Sequence, residues 1–485
     1  MKKIVLTGSA VLALIALVLL AFQSQSPPSL PAQASPTRLV IESTPTRPAA
    51  STPTAPPSTA LVVKPLNISQ LPSIPHDLLF LDQGNLMRWN HTTGQLETLS
   101  SNATCYWVST DRRTVILESA KGGDIYEIAL LDLASGRKTS LVETASRIID
   151  LAISPDGQWV AYIQTESLPD EWHCRPDLVA FGIYPFSGPY PATIFSLRVS
   201  VLQGNASESP VEIGYCKKGE TLGFCGRILW SPDSRSILWS DAEGVWSFEL
   251  GASQARLIIP QTVNQPDYFD NRVYYPWRWS PLGRYVLTTF QIFEGFTQVV
   301  LDTQTGKVAE LPGTFTYGYP GSKPVWMADG RLFTIRPPLP SEYTDFPPAA
   351  IEIWRVDPQQ PGMLVLENSL VLGVFWEQIP TGDPAQLADG RLAFAILSRE
   401  SGDDPARGLY FADPDNLAPR KVNGLPASLS EAFWSETGIV WSPDGHGAIL
   451  QDWSEYPMLL YVPTDRSKVY DLSLVIQGCC FTWLK

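Results

Sequence analysis

Five residues, Trp441-Ser442-Pro443-Asp444-Gly445, recur along the chain in degraded copies and constrain its fold more than any other feature. Ile153-Ser154-Pro155-Asp156-Gly157, Trp230-Ser231-Pro232-Asp233-Ser234 and Trp279-Ser280-Pro281-Leu282-Gly283 are close copies. Trp326-Met327-Ala328-Asp329-Gly330, Leu387-Ala388-Asp389-Gly390 and Ser109-Thr110-Asp111-Arg112 are looser ones. Apolar or alternating runs follow, such as Trp159-Val160-Ala161-Tyr162-Ile163 and Arg331-Leu332-Phe333-Thr334-Ile335. Proline presets φ at the first corner, aspartate bonds back to the backbone, and glycine supplies the positive φ before the return strand. Each copy is therefore a hairpin corner.

A second corner alternates with the first. Its clear forms are Asn90-His91-Thr92-Thr93-Gly94, Asp132-Leu133-Ala134-Ser135-Gly136 and Asp302-Thr303-Gln304-Thr305-Gly306, with looser ones near Gly204, Gly251, Asp357, Asp413 and Pro463. The order of the corners predicts the architecture. A unit of four strands, a to d, has one a–b corner and one c–d corner. The first c–d corner, at Asn90, precedes any a–b corner, and one strand, 480–484, follows the last. The leftover pieces make one blade shared by both ends of the chain, with strand a from the C-terminal end and b, c and d from 78–100. The prediction is an all-β β-propeller of four-stranded antiparallel blades, eight by this count and seven if a weak copy around 370–425 is not a full blade.

The Ser-Pro-Asp-Gly copies at Ser154, Ser231, Ser280 and Ser442 resemble the WD40-like repeats of TolB-type propellers, over roughly residues 78–485. They also resemble the propellers that precede prolyl-oligopeptidase-type hydrolases. The resemblance implies the fold. Neither the N-terminal α/β domain of the TolB kind nor a hydrolase domain is read in the chain, so it implies no activity.

Ahead of the propeller, Met1-Lys2-Lys3 and the apolar run to Phe22 (residues 1–22) read either as a cleaved signal peptide or as a retained membrane anchor. Residues 23–65 are a Pro/Ser/Thr/Ala tract without the apolar surface to offset ordering, a disordered stalk, and the propeller domain is expected over 66–485. This places the body outside the cytoplasm, secreted or anchored at a cell envelope of bacterial kind. A net charge of −14 disfavours nucleic acid and leaves membrane contact to an uncleaved N-terminal segment.

Antiparallel strands put all a–b and c–d corners on one face and the b–c and d–a connections on the other. The long connections belong to the second face. The insertion at about 165–193 carries Trp172, His173, Arg175, Phe181, Tyr184, Phe186 and Tyr190. A crossing near 268–275 carries Tyr268, Phe269, Tyr274 and Tyr275, and a further insertion from Arg336 to Ala350 holds Tyr343. Aromatic loops on the rim of a rigid ring point to binding or to packing on one another. Six cysteines in an oxidising compartment point to disulfides: Cys105 with Cys479 or Cys480, and two of Cys174, Cys216 and Cys225.

No Gly-x-Ser-x-Gly elbow occurs, and the four histidines, His76, His91, His173 and His446, have no metal-spaced partners. His91 and His446 fall in tight corners, where solvated side chains are expected. No cofactor and no metal is expected. The reading is a monomeric, non-catalytic scaffold that binds a protein, peptide or glycan through the loop rim. The alternative is a propeller-type hydrolase or lyase with carboxylates and arginine at the channel mouth.

Overall fold

The structure, a computed structural model, describes residues 64–65, 71–122, 125–144, 147–165, 195–201, 211–216, 228–241, 243–262, 272–292, 295–312, 314, 316–317, 323–336, 349–360, 362–372, 378–398, 407–425, 438–452, 458–465, 468–476 and 478–484. The segment read as signal or anchor lies outside them. No helix among the described residues is long and apolar enough to cross a membrane.

These residues form a β-propeller of four-stranded antiparallel blades. Sheet 1 is ordered Cys479–Trp483, Leu78–Asp82, Asn85–Trp89, Leu96–Ser101. Sheets 2 to 6 follow in chain order over 103–144, 147–216, 229–260, 273–317 and 325–371. Sheet 7 comprises Gln378–Gln386, Leu392–Ser398, Gly408–Ala412 and Arg420–Gly424. All seven are antiparallel throughout. Sheet 8 comprises Gly438–Trp441, Gly447–Asp452, Met458–Pro463 and Tyr470–Asp471, and a fifth strand, Lys64–Pro65, pairs in parallel on its outer edge. That strand lies just ahead of the boundary expected at residue 66.

The corners are built as their residues predict. In the a–b corner the serine hydroxyl donates to the aspartate, at 2.5 Å in Ser154–Asp156 and Ser231–Asp233 and 2.7 Å in Ser442–Asp444. The same oxygen accepts the amide five residues on, from Trp159, Ser236, Tyr285 and Gly447 at 2.9 to 3.1 Å. The aspartate accepts the amide two residues on, from Gln158, Arg235 and His446. The buried serine hydroxyl is thus satisfied both as donor and as acceptor within its own corner. In the c–d corners the leading aspartate or asparagine accepts the amides that follow, as in Asn90, Asp132, Asp302 and Asp357, and a hydroxyl at the fourth position, Thr93, Ser135 or Thr305, accepts the amide two residues on.

Packing joins the sheets in sequence. Ile116 and Tyr162 share a buried cluster between sheets 2 and 3, Ile163 and Trp239 between 3 and 4, and Val245 and Leu301 between 4 and 5. Leu287 with Trp354, Phe333 with Phe394, and Phe411 with Val462 continue the series through sheets 6, 7 and 8. Trp89, Tyr461 and Trp483 then pack sheet 8 against sheet 1, and Leu79 with Leu117 packs sheet 1 against sheet 2. Each such side chain contributes about 1.5–3 kcal/mol by burial. The tryptophan ahead of the serine explains its recurrence. Its indole N–H donates to a carbonyl of the preceding sheet's first strand, Trp230 to Ala152 at 3.1 Å and Trp279 to Leu229 at 3.3 Å. Trp483 makes the same bond to Val440 at 2.9 Å, across the join.

Candidate functional site: a cleft on the corner face

The expected rim is mostly beyond reach. Trp172, His173, Arg175, Tyr184, Phe186, Tyr190, Tyr268 and Tyr343 lie outside the described residues. Tyr274 and Tyr275 do not stand on a rim loop: they belong to the first strand of sheet 5 and are buried, because that strand begins at Val273. Tyr274 stacks on Phe290 with centroids 4.9 Å apart, and Tyr275 donates to Gln291 at 3.2 Å. Arg336 ends the second strand of sheet 6 and is held by Glu352, Nε to Oε1 2.9 Å, which ties it to its own sheet. Among the described residues no disulfide joins Cys105 to Cys479 or Cys480, the link expected of them. Cys105 is buried in the first strand of sheet 2. The side chains of Cys174, Cys216 and Cys225 lie outside the described residues.

The larger described cavity is on the other face. A cleft of about 720 Å³ runs between the corners of sheets 7 and 8 and the segment Pro72-Ser73-Ile74-Pro75. Its floor is fixed by glycines. A Cβ on Gly445 would lie 2.5 Å from Leu387 Cδ1, and one on Gly447 would lie 2.6 Å from the Tyr461 ring. Thr464 donates its hydroxyl to the Gly445 carbonyl at 2.6 Å and its amide to His446 at 3.0 Å, pinning one corner of sheet 8 to the other. Tyr461 stacks on Tyr470, centroids 6.1 Å apart, and burial pushes its phenol well above the usual range.

Arg391 forms one wall. Its guanidinium lies 4.4 Å from the Phe411 ring centroid while Nε donates to Asp389 at 2.5 Å. Arg420, on the last strand of sheet 7, is exposed at the mouth, and so is Asp465. His446 is 74% exposed, its Nδ1 3.0 Å from Asp444 Oδ2, and His76 Nε2 lies 2.9 Å from the same oxygen. Burial would raise the Asp444 carboxyl, but hydrogen bonds from the His446 amide and Ser442, with the two imidazoles beside it, hold it below the usual range. Ser442, Asp444 and His446 are the residue types of a hydrolytic triad, yet the fully buried hydroxyl is bonded to the carboxylate and not to the imidazole. His91, expected to be solvated like His446, is exposed and, like it, has an aspartate beside the ring, Nδ1 to Asp77 Oδ1 2.7 Å.

A smaller depression of about 510 Å³ lies between sheets 1 and 2, lined by Ser101, Asn102, Lys121, Glu127 and Lys138. Glu127 is buried between Lys138 at 2.8 Å and Lys121 at 3.0 Å. Burial pushes its carboxyl up, and the hydrogen bonds from both lysines and Ser140 outweigh it and hold the pKa at about 2. Its charges are spent on one another. Among the described residues no group of three or more histidine, cysteine or carboxylate side chains is placed to hold a metal.

Neither wall of the cleft is marked in the sequence. Its residues come from 72–75, 391, 411–422 and 445–470, and only the fold brings them together.

No family model and no curated protein matches the sequence. Among solved structures, the chain is similar to an oligogalacturonate lyase from Vibrio parahaemolyticus at 11% identity, covering 78% of this chain and 83% of that one with a TM-score of 0.41. It is similar to the dihydro-heme d1 dehydrogenase NirN at 16% identity, over 96% and 85% of the two chains, with a TM-score of 0.46. The β-propeller domain of Swd1 from Myceliophteria thermophila matches at 12% identity over 75% and 97%, with a TM-score of 0.41. No functional residue is transferred from them.

Proposed function

We propose that the chain is a non-catalytic, extracytoplasmic propeller scaffold, a monomeric ring of eight blades that binds a protein, peptide or glycan. The observation that carries this reading is the cleft between sheets 7 and 8. It is lined by aromatic, proline and arginine side chains over a floor locked by hydrogen bonds, while its acid–base groups are engaged in holding corners. Rigid concave surfaces of this composition lose little freedom on binding. Arg391 and Arg420 supply planar donors for carboxylates, so an acidic ligand fits the cleft. The aromatic loops with Trp172, Tyr184 and Tyr190 form the second contact region of this reading.

Arrays of acidic, neutral and basic peptides and of neutral and uronate glycans, probed with the whole chain, test it. Arg391→Ala with Arg420→Ala is expected to lower binding of an acidic ligand at least tenfold. Trp172→Ala with Tyr184→Ala and Tyr190→Ala is expected to reduce binding to the loop rim alone. Conversion of any bound peptide or glycan to a product of changed mass, by the parent chain, sinks the non-catalytic reading in favour of a hydrolase or lyase.

A further inference from the structure

Three of the chain's four histidines stand where sheet 8 meets sheet 1, each with an aspartate beside its ring. Histidine is the side chain whose charge changes between about pH 5 and 8. His91 and His446 also donate their backbone amides to the same aspartates, at 2.8 and 2.9 Å, whatever the charge on their rings. His76 is different. Its Nε2 is shut off from water, lies 2.9 Å from Asp444 Oδ2 and makes no aligned hydrogen bond. A neutral ring gains little from such a contact, and a buried nitrogen left unbonded is costly. A protonated ring gains the attraction of opposite charges, which needs no alignment.

The contact sits at a joint. Residues 71–77 have no regular structure and lead into sheet 1, and Pro72-Ser73-Ile74-Pro75 is one wall of the cleft. Ile74 anchors that wall by burial. His76 ties the same segment to Asp444, in the corner whose Gly445 and His446 also line the cleft. The Asp444 carboxyl, held below the usual range, stays charged through the imidazole window. Of the other charges nearby, Asp77 has Arg88 and His91 beside it, and Asp389 has Arg391. Arg420 and Asp465 stand at the mouth.

We infer that His76 is a pH-sensitive latch on the cleft: protonated, it pins the wall 72–75 to the corner of sheet 8, and neutral, it frees that wall. The tie is present on the acid side and is lost as pH rises. Its effect on binding rests on the cleft being the ligand site, where an acidic ligand is then held more tightly at lower pH.

Hydrogen exchange of the full chain, corrected for the intrinsic effect of pH, is read in peptides covering 71–77 at about pH 5.5 and about pH 8. Exchange at Ser73, Ile74, His76 and Asp77 is expected to be about two- to fivefold faster at the higher pH, as for one partly exposed ion pair. His76→Gln is expected to exchange at both pH values as the parent does at the higher one, and His446→Gln to keep the pH dependence. Unchanged exchange over 229–260 reports that both variants are folded. Equal corrected exchange in the parent at the two pH values overturns the latch. So does pH dependence that survives in His76→Gln or vanishes in His446→Gln. Binding of an octa-aspartate peptide, expected to be tighter at the lower pH by a similar factor, reads the cleft separately. Equal affinity at both pH values overturns the latch's control of binding. Exchange that switches while no peptide binds upholds the latch and sinks the cleft as the site for acidic ligands.

Discussion

Sheets 2 to 8 each join their first two strands by a corner of five residues, whereas the first two strands of sheet 1 come from opposite ends of the propeller sequence. At a corner such as Ser231-Pro232-Asp233-Ser234 the bonding is local, between groups two and five residues apart. At the seam, Cys479–Trp483 pairs with Leu78–Asp82 from the far end of the chain. Closing so long a loop costs more entropy than closing a hairpin. Long-range bonds offset it: Arg112 donates to the Trp483 carbonyl at 2.8 Å, the Leu484 amide to Asp77 at 2.8 Å, and the Trp483 indole to Val440. His76 reaches Asp444 in sheet 8 while Asp77 holds His91 in sheet 1. The difference teaches that side chains at the seam replace what proline, aspartate and glycine do elsewhere.

The comparison breaks most readily at Trp483. Trp483→Ala is expected to cost about 3–5 kcal/mol in denaturant unfolding, from lost packing between sheets 8 and 1 plus a lost bond. A loss under about 1 kcal/mol would mean that the seam is not where closure is secured.

Ser231→Ala removes a hydroxyl that is both donor and acceptor in a buried corner, so a loss of about 1–3 kcal/mol follows. Hydrogen exchange separates the two cases: it should rise near 231–236 for this variant, and around the whole ring for Trp483→Ala. Equal spread for both would remove the distinction between local corners and a global seam.

Cys480→Gly sharpens the picture from the other side. Relief of the left-handed strain at φ 64° is expected to raise stability by about 1 kcal/mol. A loss of similar size would show that the thiol side chain packs usefully at the seam.

Acid should act on corners before seam. The Asp111 and Asp233 carboxyls are held below the usual range by Ser109 and Ser231, and burial of Asp329 and Asp444 is outweighed by hydrogen bonds that lower theirs too. A carboxylate depressed in the folded state stabilises it above the unfolded pKa, and the contribution is lost as pH falls through the folded value. Unfolding midpoints measured from pH 5 downward should therefore drop below about pH 4. Ser231→Ala should show a shallower drop than the parent; a steeper one would overturn this assignment.

The fold was legible because it is written in local chemistry. Ser154, Asp156 and Gly157 declare their corner within one short window, and the order of such corners declares the shared blade that Cys479–Trp483 completes. The cleft was not legible, since Pro72, Arg391, Phe411 and Tyr470 carry no shared motif and meet only through packing. Tyr274 and Tyr275 misled for a related reason: aromatic residues at the edge of a long connection look the same whether the strand has begun or not.

The parallel strand on sheet 8 bears on how the ring meets other chains. Outer strands of blades present unpaired amides and carbonyls, which invite strand addition and self-association. On sheet 8, Lys64 and Pro65 lie against Tyr470 and Asp471. The outermost strand thus includes Pro65, whose backbone has no amide to offer a further strand. That edge is covered by two residues just ahead of the expected start of the propeller.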